Sequence, residues 1–108
     1  MANMPYDAQI LLSQLRKHGY KHIARDPEDN MLCAYKYLPT LEDGYYTLTE
    51  TQMDEPYSCF VISPAHIRMF IHDFNVHILS GANLRKCCQI PVSAEDSPVC
   101  ISKLITES

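Results

Sequence analysis

Two apolar stripes at helical spacing, with only turn-punctuated, strand-like runs between them, constrain this chain more than any other feature. Ala8, Leu11, Leu12 and Leu15 recur at the i, i+3, i+4, i+7 spacing that puts them on one helical face. Arg16, Lys17 and His18 follow where cations suit the negative end of a helix dipole, and Gly19 supplies the left-handed residue that ends a helix. Asp7 is the expected cap, so a helix is predicted over about 7–18. The second stripe is Ile67, Phe70, Ile71 and Phe74, opened by Ser63 as N-cap and Pro64 at the first helical position. It predicts a helix over 64–74, with His72 opposite the apolar face and His66 and Asp73 on its edge.

Between these stripes the chain reads as strands. Segments 20–25, 31–38, 45–51 and 57–62 are β-compatible, and the first three are parted by Asp26-Pro27-Glu28-Asp29-Asn30 and Glu42-Asp43-Gly44, both strong turn signals. Alternation sets Met31, Cys33, Tyr35 and Tyr37 on one face, and Leu32, Ala34 and Leu38 on the other. Two further short strands are expected at 76–79 and 84–92. No strand–helix alternation occurs in the first two-thirds, which argues against a parallel nucleotide-binding sheet. The expected fold class is α+β: an antiparallel sheet of four to six strands with two helices packed on it. The 108 residues suit a single domain, and no order is assigned to the polar tail 93–108.

Composition narrows the setting. An apolar fraction of 46% supports a packed core. No run of about 18 or more apolar residues is present to span a membrane. The stretch after Met1 lacks the basic and apolar regions of a secretory signal, so a native start is expected. The five cysteines are odd in number, and Cys33 and Cys59 fall in apolar runs, so reduced thiols in a cytoplasmic compartment are expected. From Asp26 to Glu55 stand eight acids and one base, Lys36. Phosphate binding needs a continuous basic surface, so direct nucleic-acid binding is not expected, and a protein with a basic surface is.

Candidate chemistry is sparse. His72, His77, Cys87 and Cys88 are a conceivable zinc set, yet adjacent cysteines rarely share one metal and no C-x-x-C pair exists. A Cys/His nucleophile pair would have to be assembled in space, with no local context to lower a thiol pKa. Nucleotide and metalloprotease motifs are missing, and three glycines offer little for a phosphate loop. No cofactor is expected. A structural zinc site and a small Cys/His enzyme stand as alternatives to a binding function.

The denser signal is tyrosine. Tyr20, Tyr35, Tyr37, Tyr45 and Tyr46 interleave with the acidic turns. Tyrosine joins an apolar face to a hydrogen-bonding tip and favours interfaces. These rings either line the sheet–helix core or stand outward as a binding surface rimmed by acids, and Tyr45 and Tyr46 cannot share a face. The residues expected to meet a partner are Glu28, Asp29, Tyr35, Tyr37, Glu42, Asp43 and Tyr45. Exposed edge strands also leave homodimerisation open.

The segment His18-Gly19-Tyr20-Lys21-His22-Ile23-Ala24-Arg25-Asp26, with Leu32-Cys33-Ala34-Tyr35-Lys36-Tyr37-Leu38-Pro39 and Gly44-Tyr45-Tyr46, resembles a hairpin pattern of small phage and prophage accessory proteins. Their pattern reads Gly-Tyr-x-x-Ile-Ala-Arg-Asp, then Ala-Tyr-x-x-x-Pro. The likeness spans about 30 residues of the 108, and Tyr45-Tyr46 stands where a Trp would be expected. The resemblance implies a mobile-element protein of the bacterial cytoplasm, with anti-CRISPR inhibition of host defence as one use. It implies no catalytic residue. The function expected is therefore non-catalytic protein binding, as a phage-encoded inhibitor of a host nucleic-acid-handling protein.

Overall fold

The computed structural model describes residues 4–105. The elements in order are α1 (Tyr6–Lys17), β1 (His22–Arg25), β2 (Leu32–Tyr35), β3 (Thr40–Glu42), β4 (Tyr45–Thr47), α2 (Glu50–Met53), β5 (Cys59–Val61), α3 (Pro64–Phe74), a 3-10 turn (His77–Leu79), α4 (Leu84–Cys87), β6 (Val99–Cys100) and α5 (Ile101–Leu104). An antiparallel sheet runs β5-β2-β1-β6, and β3 and β4 pair as a separate hairpin. The fold is α+β, as the alternation and stripes require.

Both long helices follow their sequence signals. In α1 the buried residues are Ala8, Leu11, Leu12 and Leu15. Gly19 takes φ +100°, and Tyr20 N–H donates back to the Leu15 carbonyl at 3.0 Å, which closes the helix end. The start differs, because Pro5 precedes the first turn and Asp7 lies inside it. Asp7 Oδ2 instead accepts from Asn83 N at 3.2 Å and ties α1 to α4. Ser63 caps α3 by accepting from His66 N, and Asn75 ends it in the left-handed region.

The central strands are covered on both faces. Ile23 pairs with Ala34, and with Leu32 they meet the helix stripes in the main core, beside Leu11, Leu15, Ile67 and Phe70. Ala24, Cys33 and Tyr35 point the other way into a smaller core closed by Tyr46, Leu48 and Val61. The β3–β4 hairpin therefore forms a layer opposite the helices, and every residue of β2 is buried.

Three expectations are corrected. Segment 76–79 is a 3-10 turn, because the left-handed Asn75 reverses the chain and the three-residue step buries both Val76 and Leu79. Segment 84–92 opens as α4, because the Asn83 side chain accepts from Arg85 N and Lys86 N. Strand 45–51 stops at Thr47, because Thr49 and Gln52 form a capping box that starts α2. The tail, left without assigned order, supplies β6 and α5 up to Leu104; Ile101 is fully buried in the main core. Residues 106–108 of that tail lie outside the described residues.

Candidate functional site

Two loops meet at one end of the molecule. The turn after β1 passes through Asn30 at φ 64°, and the hairpin tip places Asp43 at φ 53° and Gly44 at φ 87°. Asn and Asp tolerate this region better than other side chains, so both turns are chemically suited to their shape. Gly44 meets Glu28 closely: a Cβ on it would lie 2.9 Å from Glu28 Oε1. Glu28 N–H donates to the Gly44 carbonyl at 3.2 Å. This contact brings Glu28 and Asp29 to the hairpin tip, where Glu42 and Asp43 sit.

Register decides which tyrosine faces outward. Glu42 pairs with Tyr45 and Thr40 with Thr47, so these four share the outer face of the hairpin. Tyr45 is 42% exposed. Tyr46 faces inward, where its hydroxyl donates to the Ser97 carbonyl at 3.0 Å. Leu41 is exposed beside this end. Glu28, Asp29, Glu42 and Asp43 are all exposed, and none forms an ion pair among the described residues. An exposed ring with an acidic rim is thus assembled from Glu28, Asp29, Glu42, Asp43 and Tyr45.

The other two expected contact residues lie elsewhere. Tyr35 is only 3% exposed and belongs to the small core, so it is corrected from contact residue to core residue. Burial pushes its phenol well above the usual range. Its position on β2, with both faces covered, left it no route to solvent. Tyr37 follows β2 at the opposite end of that strand from the acidic turns. Its hydroxyl donates to Glu55 Oε1, and that bond raises its pKa. Lys36 Nζ stands 3.6 Å from Glu55 Oε2, so the one base in the acidic region is already engaged.

The conceivable metal set is not gathered. His72 and His77 are exposed on different elements, Cys87 is buried, and Cys88 donates its thiol to the Leu84 carbonyl within α4. Among the described residues no three His, Cys, Asp or Glu side chains converge as a metal site. All five cysteines are free. Cys33 and Cys59 share one face of the β2–β5 pair as diagonal neighbours, two residues off direct register. The Cys33 thiol donates toward Cys59 and holds it below the usual thiol range; the same bond, with burial, pushes Cys33 up.

A second feature escaped the sequence reading. Between β5 and α3 runs a groove lined by Tyr57, Phe60, Phe70, Phe74, Met69 and Asp73. Its signal was present as Met69 and Asp73, in the second and third turns of α3, flanking the apolar stripe, but only β5 lying at the sheet edge turns that flank into a groove. Among the described residues no helix is long and apolar enough to cross a membrane. No family model matches the sequence, and no curated protein or solved structure matches it either.

Proposed function

We propose that this protein is a non-catalytic binding module that docks its acidic end onto a protein with a basic surface, one that otherwise holds nucleic acid. The observation carrying the reading is the Gly44–Glu28 contact, which sets four carboxylates around the outward Tyr45 ring with no cation among the described residues to neutralise them. Such a patch supplies both parts of a steered interaction. The carboxylates attract a Lys- and Arg-rich surface over a Debye length, and the ring provides a desolvated anchor once contact is made. Occupying a nucleic-acid groove this way makes the module an inhibitor by competition. The phage-like hairpin of β1 and β2 favours a host defence protein as the target.

The test is a salt-resolved pull-down from bacterial lysate, followed by quantitative binding to the retained protein. A nucleic-acid-handling partner held at low salt and shed at high salt is expected, and nucleic acid should compete for it. Charge reversal of Glu42 and Asp43 combined with Tyr45→Ala should abolish binding while leaving the melting temperature within a few degrees. Unchanged binding by that variant would overturn the reading.

A further inference from the structure

Of the four non-glycine residues with positive φ among the described residues, three are Asn or Asp, which adopt that conformation at little cost. The fourth is Tyr57, at φ 61°. A bulky ring is poorly suited to the left-handed region, where Gly or Asn would relieve the strain. The conformation holds Tyr57 at the mouth of the groove between β5 and α3, 54% exposed and edge-on to Phe74 at 5.0 Å between centroids. Phe74, Phe70, Phe60 and Tyr20 continue the row at 5.2, 5.4 and 6.0 Å. Met69, 59% exposed, forms the helix-side lip. The cavity measures about 250 Å³. That is below the range of small-molecule sites and suits one large apolar side chain.

The sheet edge beside this groove is open. Lys36 N–H bonds the Ser58 carbonyl at 3.0 Å and Ile62 N–H bonds the Leu32 carbonyl at 2.9 Å. With Ala34 opposite Phe60, antiparallel alternation turns the polar groups of Phe60 toward β2 and those of Cys59 and Val61 outward. The outward groups have no hydrogen-bond partner among the described residues. Asp73 also lines the groove, and it forms no ion pair among the described residues.

We propose that this groove binds an extended peptide segment of a partner protein, which adds as a strand to the free edge of β5. The free edge asks for peptide backbone, the row of rings for one large apolar side chain, and the unpaired carboxylate for one basic side chain. The peptide residue opposite Phe60 drops its side chain into the ring-lined cavity. A Lys or Arg two positions away lies on the same face and reaches Asp73. This surface is separate from the acidic end, since it lies toward the Tyr35 end of β2, so it stands or falls independently of the function proposed above.

The experiment is selection of random decapeptides displayed against the purified protein, followed by titration of the winning synthetic peptide. Enriched sequences should share a large apolar residue with a Lys or Arg two positions away. Tyr57→Gly relieves the backbone while removing the ring, so it should weaken the peptide at least about tenfold with no loss of melting temperature. Met69→Asp, on an exposed helix position, should weaken it likewise. Asp73→Lys should shift the enriched partner residue from basic to acidic. Bound peptide should protect the amide hydrogens of Cys59 and Val61 from exchange. Charge reversal at Glu42 and Asp43 should leave the peptide affinity unchanged, which separates failure here from failure at the acidic end. No enrichment would overturn the proposal, as would equal binding by Tyr57→Gly and Met69→Asp. A dimer of this chain that already protects Cys59 and Val61 would also overturn it.

Discussion

Asp26 Oδ1 accepts a 2.8 Å hydrogen bond from the backbone N–H of Tyr46, twenty residues further along the chain. Asp26 is itself buried, and its backbone carbonyl accepts from Asn30 N at 2.8 Å. One residue thus shapes the turn that carries Glu28 and Asp29 and also anchors the hairpin that carries Glu42, Asp43 and Tyr45. Asp26→Ala should cost about 1–3 kcal/mol, because the Tyr46 N–H loses a charged acceptor in a partly buried place. Asp26→Asn, which keeps an acceptor oxygen, should recover part of that loss. Urea denaturation of the two variants checks both. Equal stabilities for wild type and Asp26→Ala would show that the bond contributes nothing.

Arg25 does comparable service on the other side of β1. Its Nε donates to the Val92 carbonyl at 2.7 Å and its Nη1 to the Asn30 carbonyl at 3.0 Å, so one planar guanidinium spans two loops. Arg25→Met should destabilise by about 1–3 kcal/mol. Arg25→Lys should restore only part of this, because a single ammonium cannot reach both carbonyls in the same geometry. Thermal melts of the pair give the answer, and full rescue by Lys would count against the fork.

Thiol chemistry should concentrate at one place. Cys59 is exposed and held below the usual thiol range by the Cys33 hydrogen bond, whereas burial pushes Cys87 up to about 11 and also raises Cys88. Iodoacetamide at neutral pH should therefore label Cys59 first. Cys33→Ala should slow that labelling severalfold by removing the donor. Mass spectrometry of timed digests reads the order, and faster labelling of Cys87 or Cys88 would contradict it.

His22 sets an acid-side slope. Desolvation lowers its pKa from 6.5, with the Lys21 charge adding to the effect, so the folded state favours the neutral ring. Below pH 6.5 the unfolded chain then takes up more protons than the folded one. Stability contributed by the neutral ring is complete above that value and is lost as pH falls through the lowered folded pKa. His22→Gln should show less loss of stability between pH 7.5 and pH 5 than wild type, measured by denaturant melts at each pH. Parallel losses in the two proteins would assign the slope to other groups.

The sequence disclosed the parts of this fold that depend on local chemistry. Ser63 and Pro64 mark the start of α3, Gly19 the end of α1, and the two apolar stripes supply Leu11, Leu15, Ile67 and Phe70 to the core. Short-range signals that compete were harder to rank. The Thr49–Gln52 capping box ended a strand that Thr and Tyr content would have extended, and Asn83 started a helix in a run read as β. The candidate surface was legible in composition and only partly in place. Acidic turns follow from turn chemistry, and alternation requires one of Tyr45 and Tyr46 to face outward, but which one does so and the burial of Tyr35 depend on the hairpin register and on its folding back over β2. Nothing within a short window encodes that return. The groove beside β5 depends in the same way on which strand ends up at the edge.

The covering of β2 by two unequal cores divides the labour of the chain. Thr40, Glu42, Tyr45 and Thr47 face outward from a hairpin whose inward residues, Tyr46 and Leu48 among them, seal the small core. The main core does not draw on those four side chains. Substitutions there can change the charge and shape of the hairpin surface while Leu11, Ile23 and Ile67 go on specifying the same fold. A chain built this way can vary its outer face without risking its own folding.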